Sequence, residues 1–277
     1  MKKLVVLLLL FPSILYAQQK SCCSHSASEN FAMLSKDKNF ETAHLSPLPL
    51  EFTPEKGAMI TFESTDGKTA NAFEIKSDSA TNNWIFVFHE WWGLNDYIKR
   101  EAERISNEVP AANVLAIDLY DGQTTDKAEK AQEIMQGIDD KRARAIIQGA
   151  INRAGDKAKI ATIGWCFGGT WSLQASIMAG NQAAACVIYY GYPETDTEKL
   201  KSLQCGVLGI YGTKDNWITP ALVTAFEKNL KDLNKKVIIK NFDAVHAFAN
   251  PSNPEYDKNA SIQANQLAIA YLRSRLR

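Results

Sequence analysis

The stretch KIATIGWCFGGTWSLQ, Lys159 to Gln174, decides how this chain is read. Lys159–Ile163 is an apolar run of the kind that forms a buried strand. Gly164-Trp165-Cys166-Phe167-Gly168 follows as a turn with cysteine at its tip, and from Gly168 the spacing is helical. A strand that turns at once into a helix leaves no room for side chains two residues before and after the tip, and glycine stands at both places. The tip residue of such a turn is strained, and its side chain stands above the sheet. The N-terminus of the following helix points at the thiol and favours thiolate.

Working outward, short apolar runs alternate with helical patterns. AMITFES and TANAFEI alternate on either side of Asp66-Gly67 and predict a hairpin. WIFVFHE, NVLAIDLY, ACVIYYG, GVLGIYG and KKVIIKNF read as further strands. DYIKREAERISNE, KAEKAQEIMQ, KRARAIIQGAINRA, PALVTAFEKNLKDL and NASIQANQLAIAYLRSRL read as helices. Pro220 suits the first turn of its helix. The alternation predicts an α/β domain over residues 57–277, with a mostly parallel sheet covered by helices on both faces and an antiparallel N-terminal hairpin. In such sheets ligands bind beyond the carboxyl ends of the strands.

Residues 1–17 carry Lys2-Lys3, the apolar run LVVLLLLFPSIL and Ala17, a secretory signal peptide pattern too short to span a bilayer comfortably. The expected mature protein is exported, periplasmic or secreted, with no stable membrane insertion. Loss of Lys2 and Lys3 turns a balance of 31 basic and 31 acidic residues into 29 against 31. That balance, with no basic stripe, excludes a nucleic-acid surface. Residues 18–56 show no clear periodicity and form an N-terminal extension. Its polar tail holds Cys22 and Cys23, and its Pro-bearing part, HLSPLPLEFTPEKG, is expected to lie extended on the body. Cys186 and Cys205 adjoin apolar strands and read as buried thiols. Nothing fixes the oligomeric state; a monomer is expected.

A thiol near its ordinary pKa of about 8.5 is mostly protonated at neutral pH and needs a base. Of the four histidines only His246 follows Cys166, in the loop between the last strand and the last helix. A carboxylate must orient that imidazole. Asp215 stands just after a buried strand and is chosen. Asp243, in the histidine's own loop, is second; Asp232 falls on a charged helix face, and Asp196 lies in the acidic run PETDTEK, read as solvated. The oxyanion of acyl transfer needs two N–H donors, for which Phe167 and Trp91 are the candidates. Glu90, beside Trp91, reads either as a solvated strand-end carboxylate or as an acceptor that holds the neutral thiol, since its charge opposes thiolate. HEWWG, from His89, lacks the second histidine of a zinc motif because Gly93 occupies that position, so no metal is expected there.

With Glu90, Cys166, Asp215 and His246 in place, the chain resembles the dienelactone hydrolase (carboxymethylenebutenolidase) family of α/β-hydrolases. The resemblance covers about Gly57 to Arg277 and rests on HEWWGLND, AIDLYDG, IGWCFGG, YYGYP, GTKDNWITP and HAFANP. It implies Cys166 as nucleophile, His246 as base and then acid, Asp215 as orienter, and Trp91 and Phe167 as oxyanion donors. It implies that Glu90 engages the resting thiol and turns away when substrate binds. It further implies attack on a small ester or lactone, a thioester intermediate and no cofactor. The chain departs from the family at Asn250, where an arginine grips a substrate carboxylate. It departs again after DLY, where Lys127 and Lys130 stand without an arginine. Both departures point away from dienelactone itself, and export is a third. Trp91, Trp92, Tyr120 and Trp217 suggest an aromatic substrate wall. Two other classes stay open: a non-catalytic binding protein on the same fold, and a redox protein using Cys166 as an oxidisable thiol.

Overall fold

In the computed structural model, which describes residues 26–277, the runs flanking Asp66-Gly67 form β1 (Ala58–Glu63) and β2 (Thr69–Ile75), paired antiparallel. The later runs form β3 (Asn83–Phe88), β4 (Asn113–Ile117), β5 (Lys159–Trp165), β6 (Ala183–Tyr189), β7 (Gly206–Gly212) and β8 (Val237–Phe242). They join in one sheet of order β1-β2-β4-β3-β5-β6-β7-β8, antiparallel only where β2 meets β1 and β4. The expected mostly parallel α/β architecture is what the chain adopts. β4 is buried throughout, and β3 and β5 are buried beyond their first residue, which is why these runs are apolar almost continuously rather than alternately. At the edge, β8 alternates between half-buried and exposed positions.

The crossover helices are α3 (Asp96–Glu108), α4 (Ala128–Gln136), α5 (Asp140–Ala154), α6 (Phe167–Ala179) and α8 (Pro220–Asp232), and α9 (Lys258–Arg275) closes the chain after β8. Asn95 caps α3 by accepting the Ile98 N–H, and Thr219 caps α8 with Pro220 in its first turn. The short α7 (Thr197–Lys201) was not apparent in the sequence. Asp196 is its N-cap, accepting the Glu198 N–H, and Glu194 of the same run is buried against Gln174 and Lys199. The run expected to be solvated is so only in part: Thr195, Thr197 and Glu198 are exposed, while Pro193 and Glu194 are buried.

The signal peptide expected over residues 1–17, and Cys22 and Cys23, lie outside the described residues. The rest of the extension departs from an aperiodic reading. It forms α1 (Ala27–Leu34) and α2 (Lys38–Ala43). Ser26 and Glu29 make a reciprocal capping box on α1, and Asp37 accepts the Asn39 N–H to cap α2. Helices this short are marginal alone. Docking holds them: α1 lies on α6 and α2 against α4, and Phe31 and Phe40 are fully buried. Beyond α2 the chain runs along the body, where the Leu48 carbonyl accepts from the Tyr97 hydroxyl and the Lys56 N–H donates to Glu103.

Candidate active site

The turn between β5 and α6 has the geometry its glycines demand. A Cβ on Gly164 would lie 2.1 Å from the Gly168 carbonyl oxygen, and one on Gly168 would lie 2.2 Å from the Phe88 carbonyl oxygen. Cys166 at the tip has φ 55° and ψ −119°, a left-handed conformation costly for a residue with a Cβ. Its N–H donates to the Tyr189 carbonyl at 2.9 Å, which ties the tip to β6.

The loop after β8 brings His246 to the thiol, with Nε2 3.4 Å from Sγ. On the far side of the ring the Nδ1–H donates to Asp215 Oδ2 at 2.6 Å. Asp215 follows β7, and its Oδ1 accepts the Trp217 and Ile218 N–H groups at 2.9 Å each. Burial works against the Asp215 carboxylate, but the His246 ring and these N–H donors outweigh it and hold the group below its usual range. Asp243 instead pairs with Lys214 at the surface. Sulfur, imidazole and carboxylate thus lie in one line, each on a loop just past a strand end. All three residues are buried.

Burial pushes the Cys166 thiol well above its ordinary pKa, with Glu90 and Asp215 adding to the effect and the Phe167 N–H opposing it. The helix N-terminus therefore does not win in the closed state, and the resting group is a thiol. The Phe167 N–H opens α6 and faces the sulfur. The Trp91 N–H has no protein acceptor among the described residues. The Trp91 N–H is therefore free to serve a ligand, while the Phe167 N–H is turned to the sulfur. His89 ties the loop after β3 to the one after β4: its Nδ1–H donates to the Glu90 carbonyl at 2.6 Å, and its Nε2 accepts the Leu119 N–H at 3.1 Å. Burial lowers its pKa, so it holds the loop as a neutral ring.

Glu90 reaches the site but makes no hydrogen bond to the thiol. Its carboxyl accepts from the Tyr190 hydroxyl at 3.4 Å and from the Asn250 amide. Burial pushes it up to about 8 against the lowering effect of Tyr190. Asn250 is in turn held by Ser252, whose N–H and hydroxyl both donate to its Oδ1. Asn250 thus closes the floor of the site. Lys127 leads into α4 without a side-chain cap, and Lys130 pairs with Glu133, so neither replaces an arginine clamp. Trp92 lines the cleft beside the thiol. Tyr120 packs on His89 and Phe167, and its buried hydroxyl has no partner among the described residues. Trp217 stands edge-on to His246 at 5.9 Å.

The sequence reading missed what covers this constellation. Phe40 of α2 sits 5.7 Å from Trp91, 5.3 Å from Trp217 and 5.9 Å from His246, ring centre to ring centre. His44 follows, with its Nε2 4.0 Å from Cys166 Sγ and its ring 4.4 Å from Trp91. Its Nδ1–H donates to the Phe40 carbonyl at 2.6 Å. Burial, then the neighbouring His246, lower its pKa to about 3, so it too is neutral. Beneath this strap the free volume beside the thiol is about 10 Å³, room for roughly one water. A larger cavity of about 390 Å³, lined by Tyr97, Arg100, Arg104 and Trp165, lies on the other side of Glu90 and Asn250. The capping signals at Ser26 and Asp37 were the available clue to the strap.

Comparison with known proteins places the family and the fold. The profile of the dienelactone hydrolase family matches residues 71–276. The protein usf of Aquifex pyrophilus is 26% identical over 237 residues, covering 79% of this chain and 99% of its own. A carboxymethylenebutenolidase of Pseudomonas sp. strain P51 is 28% identical over 205 residues, covering 68% and 83%. Among solved structures, a dienelactone hydrolase-like promiscuous phosphotriesterase from metagenomic libraries superposes with a TM-score of 0.69 at 22% identity, covering 80% of this chain and all of the other. The chain belongs to the dienelactone hydrolase family.

Proposed function

We propose that this protein hydrolyses small carboxylic esters or lactones through Cys166. The observation that carries the reading is the line of groups leading from the strained turn: Cys166 Sγ to His246 Nε2 at 3.4 Å, and His246 Nδ1 to Asp215 at 2.6 Å. The resting thiol passes its proton to His246 as sulfur attacks the carbonyl carbon. The C–S bond forms, and the carbonyl electron pair moves onto oxygen, facing the Phe167 and Trp91 N–H groups. Asp215 stabilises the imidazolium. Collapse of the tetrahedral species expels the alkoxide, which takes the proton back from His246 and leaves a thioester. A water deprotonated by His246 then repeats the addition and frees the acid and the thiol.

Substrate enters only with the strap displaced, because one water fills the space that remains. Phe40 vacates a place ringed by Trp91 and Trp217, which suits an apolar acyl or alcohol group. Asn250 is committed to Glu90 and Ser252, so a carboxylate on the substrate finds no guanidinium there. Uncharged esters and lactones are therefore favoured over dienelactone. The signal pattern of residues 1–17 supports export, and N-terminal sequencing of the mature chain beginning at Gln18 tests that part. The activity is tested with a panel of neutral and anionic esters and lactones on wild type, Cys166→Ala and His246→Ala. Turnover of neutral substrates that both substitutions abolish is expected. No turnover of any ester, or turnover indifferent to His246, would refute the reading and favour a binding protein.

A further inference from the structure

Two imidazoles, not one, face the catalytic sulfur. His246 and His44 present Nε2 to Sγ at 3.4 Å and 4.0 Å, from a core loop and from the strap. Each ring has its other nitrogen fixed by an oxygen, Asp215 Oδ2 for His246 and the Phe40 carbonyl for His44, both at 2.6 Å. That leaves a lone pair on each Nε2. A thiol has one proton, so it satisfies one of these acceptors and leaves the other with no protein donor among the described residues and room for one water at most. The arrangement is economical for a different occupant. A tetrahedral zinc ion with Zn–S of about 2.3 Å and Zn–N of about 2.0–2.1 Å sets its S···N separations at roughly 3.6 Å. The two observed separations bracket that value, and all three donor atoms lie within 4.8 Å of one another. Oxygen partners on the distal ring nitrogens are what orient histidines toward a metal.

We propose that Cys166, His246 and His44 form a binding site for a soft divalent cation of the zinc class, which fastens the strap shut over the nucleophile. On binding, the S–H bond breaks and the proton leaves to solvent. Sulfur and both Nε2 atoms donate to the ion, and no electron transfer is involved. The site is separate from the His89–Glu90 pair, whose second histidine is missing. It unites the catalytic pair with a residue 122 positions away on the strap, so the metal-bound and the substrate-open forms exclude one another.

The test uses the full mature chain with Cys22→Ser and Cys23→Ser, which removes the tail thiols as competing ligands. Zinc is titrated against a chromophoric chelator, and Co²⁺ serves as a spectroscopic probe. One ion per chain is expected, with a thiolate-to-cobalt charge-transfer band in the near ultraviolet. Cys166→Ser should abolish the band. His44→Ala should weaken affinity at least tenfold, and His44→Cys, which restores a ligand, should recover most of it. Zinc should also slow alkylation of Cys166 by iodoacetamide. No bound ion overturns the proposal. So does a band that survives Cys166→Ser, or an affinity that ignores both His44 substitutions. These readouts do not depend on turnover, so failure here leaves the hydrolytic reading intact, and loss of that reading leaves the metal result standing.

Discussion

Phe40→Ala is the substitution that separates a strap from a fixed part of the body. The Phe40 ring is fully buried; besides Phe31 and His44 of the strap it meets Trp91, Trp217 and His246 of the body. Truncating a buried phenylalanine costs about 3–5 kcal/mol. Here the loss falls on docking of the strap, because α1 and α2 have little stability of their own. At about 1.4 kcal/mol per factor of ten, even 3 kcal/mol shifts the closed-to-open equilibrium by roughly 100-fold. Iodoacetamide reaches Cys166 only in the open form, since the closed site leaves about 10 Å³ beside the sulfur. The alkylation rate at fixed pH should therefore rise by roughly 100-fold, levelling off once the open form predominates, and kcat/KM for small esters should rise with it. The melting temperature of the body should move little by comparison. An unchanged alkylation rate, with the full loss appearing in global unfolding instead, would refute the idea that the strap opens independently.

Asp215→Asn should keep the fold and lower kcat by about 10³–10⁴, with a much smaller change in KM, because it leaves His246 without the acceptor that sets its tautomer. Steady-state kinetics on a neutral ester check this. His44 is held neutral in the closed strap, at about 3 against an ordinary 6.5. The open strap binds the proton that the closed one refuses, so opening is favoured as pH falls below 6.5. Hydrogen exchange of α2 amides, corrected for intrinsic rates, should accelerate about 30-fold between pH 7.5 and pH 5, and His44→Phe should flatten that response. Glu90 has the opposite sign. Its folded pKa of about 8 lies above the ordinary 4.5, so the folded state keeps a proton that the unfolded chain releases. Stability should fall as pH rises from about 4.5 to 8, and urea midpoints of Glu90→Gln should lose that slope relative to wild type.

Much of the site was legible because its signals are local. The glycines around Cys166 announce a turn that tolerates no other residue, and the apolar runs mark strand ends where Asp215 and His246 then fall. The covering strap left no comparable trace. Helices of eight and six residues carry too few apolar positions to show a period, and Phe31 and Phe40 gain meaning only from the surface they meet. His44 lies just past α2, where spacing says nothing about an active site 122 residues away. The same holds for Glu90. Its position beside Trp91 was readable, but its partners are Tyr190 and Asn250, the latter 160 positions distant, and no motif links them. Short-range pattern therefore singled out Cys166, His246 and Asp215, while long-range packing decided what the Glu90 carboxyl group holds and what covers the site.

The central claim is a covalent one, and peptide mass spectrometry during turnover of a slow neutral ester tests it most directly. Quenched wild-type protein should carry the acyl mass on the peptide containing Cys166, formed and lost at rates that match kcat, and Cys166→Ala should show neither adduct nor turnover. Continued hydrolysis by Cys166→Ala, or turnover by wild type with no acyl mass on that peptide at any time, would contradict it.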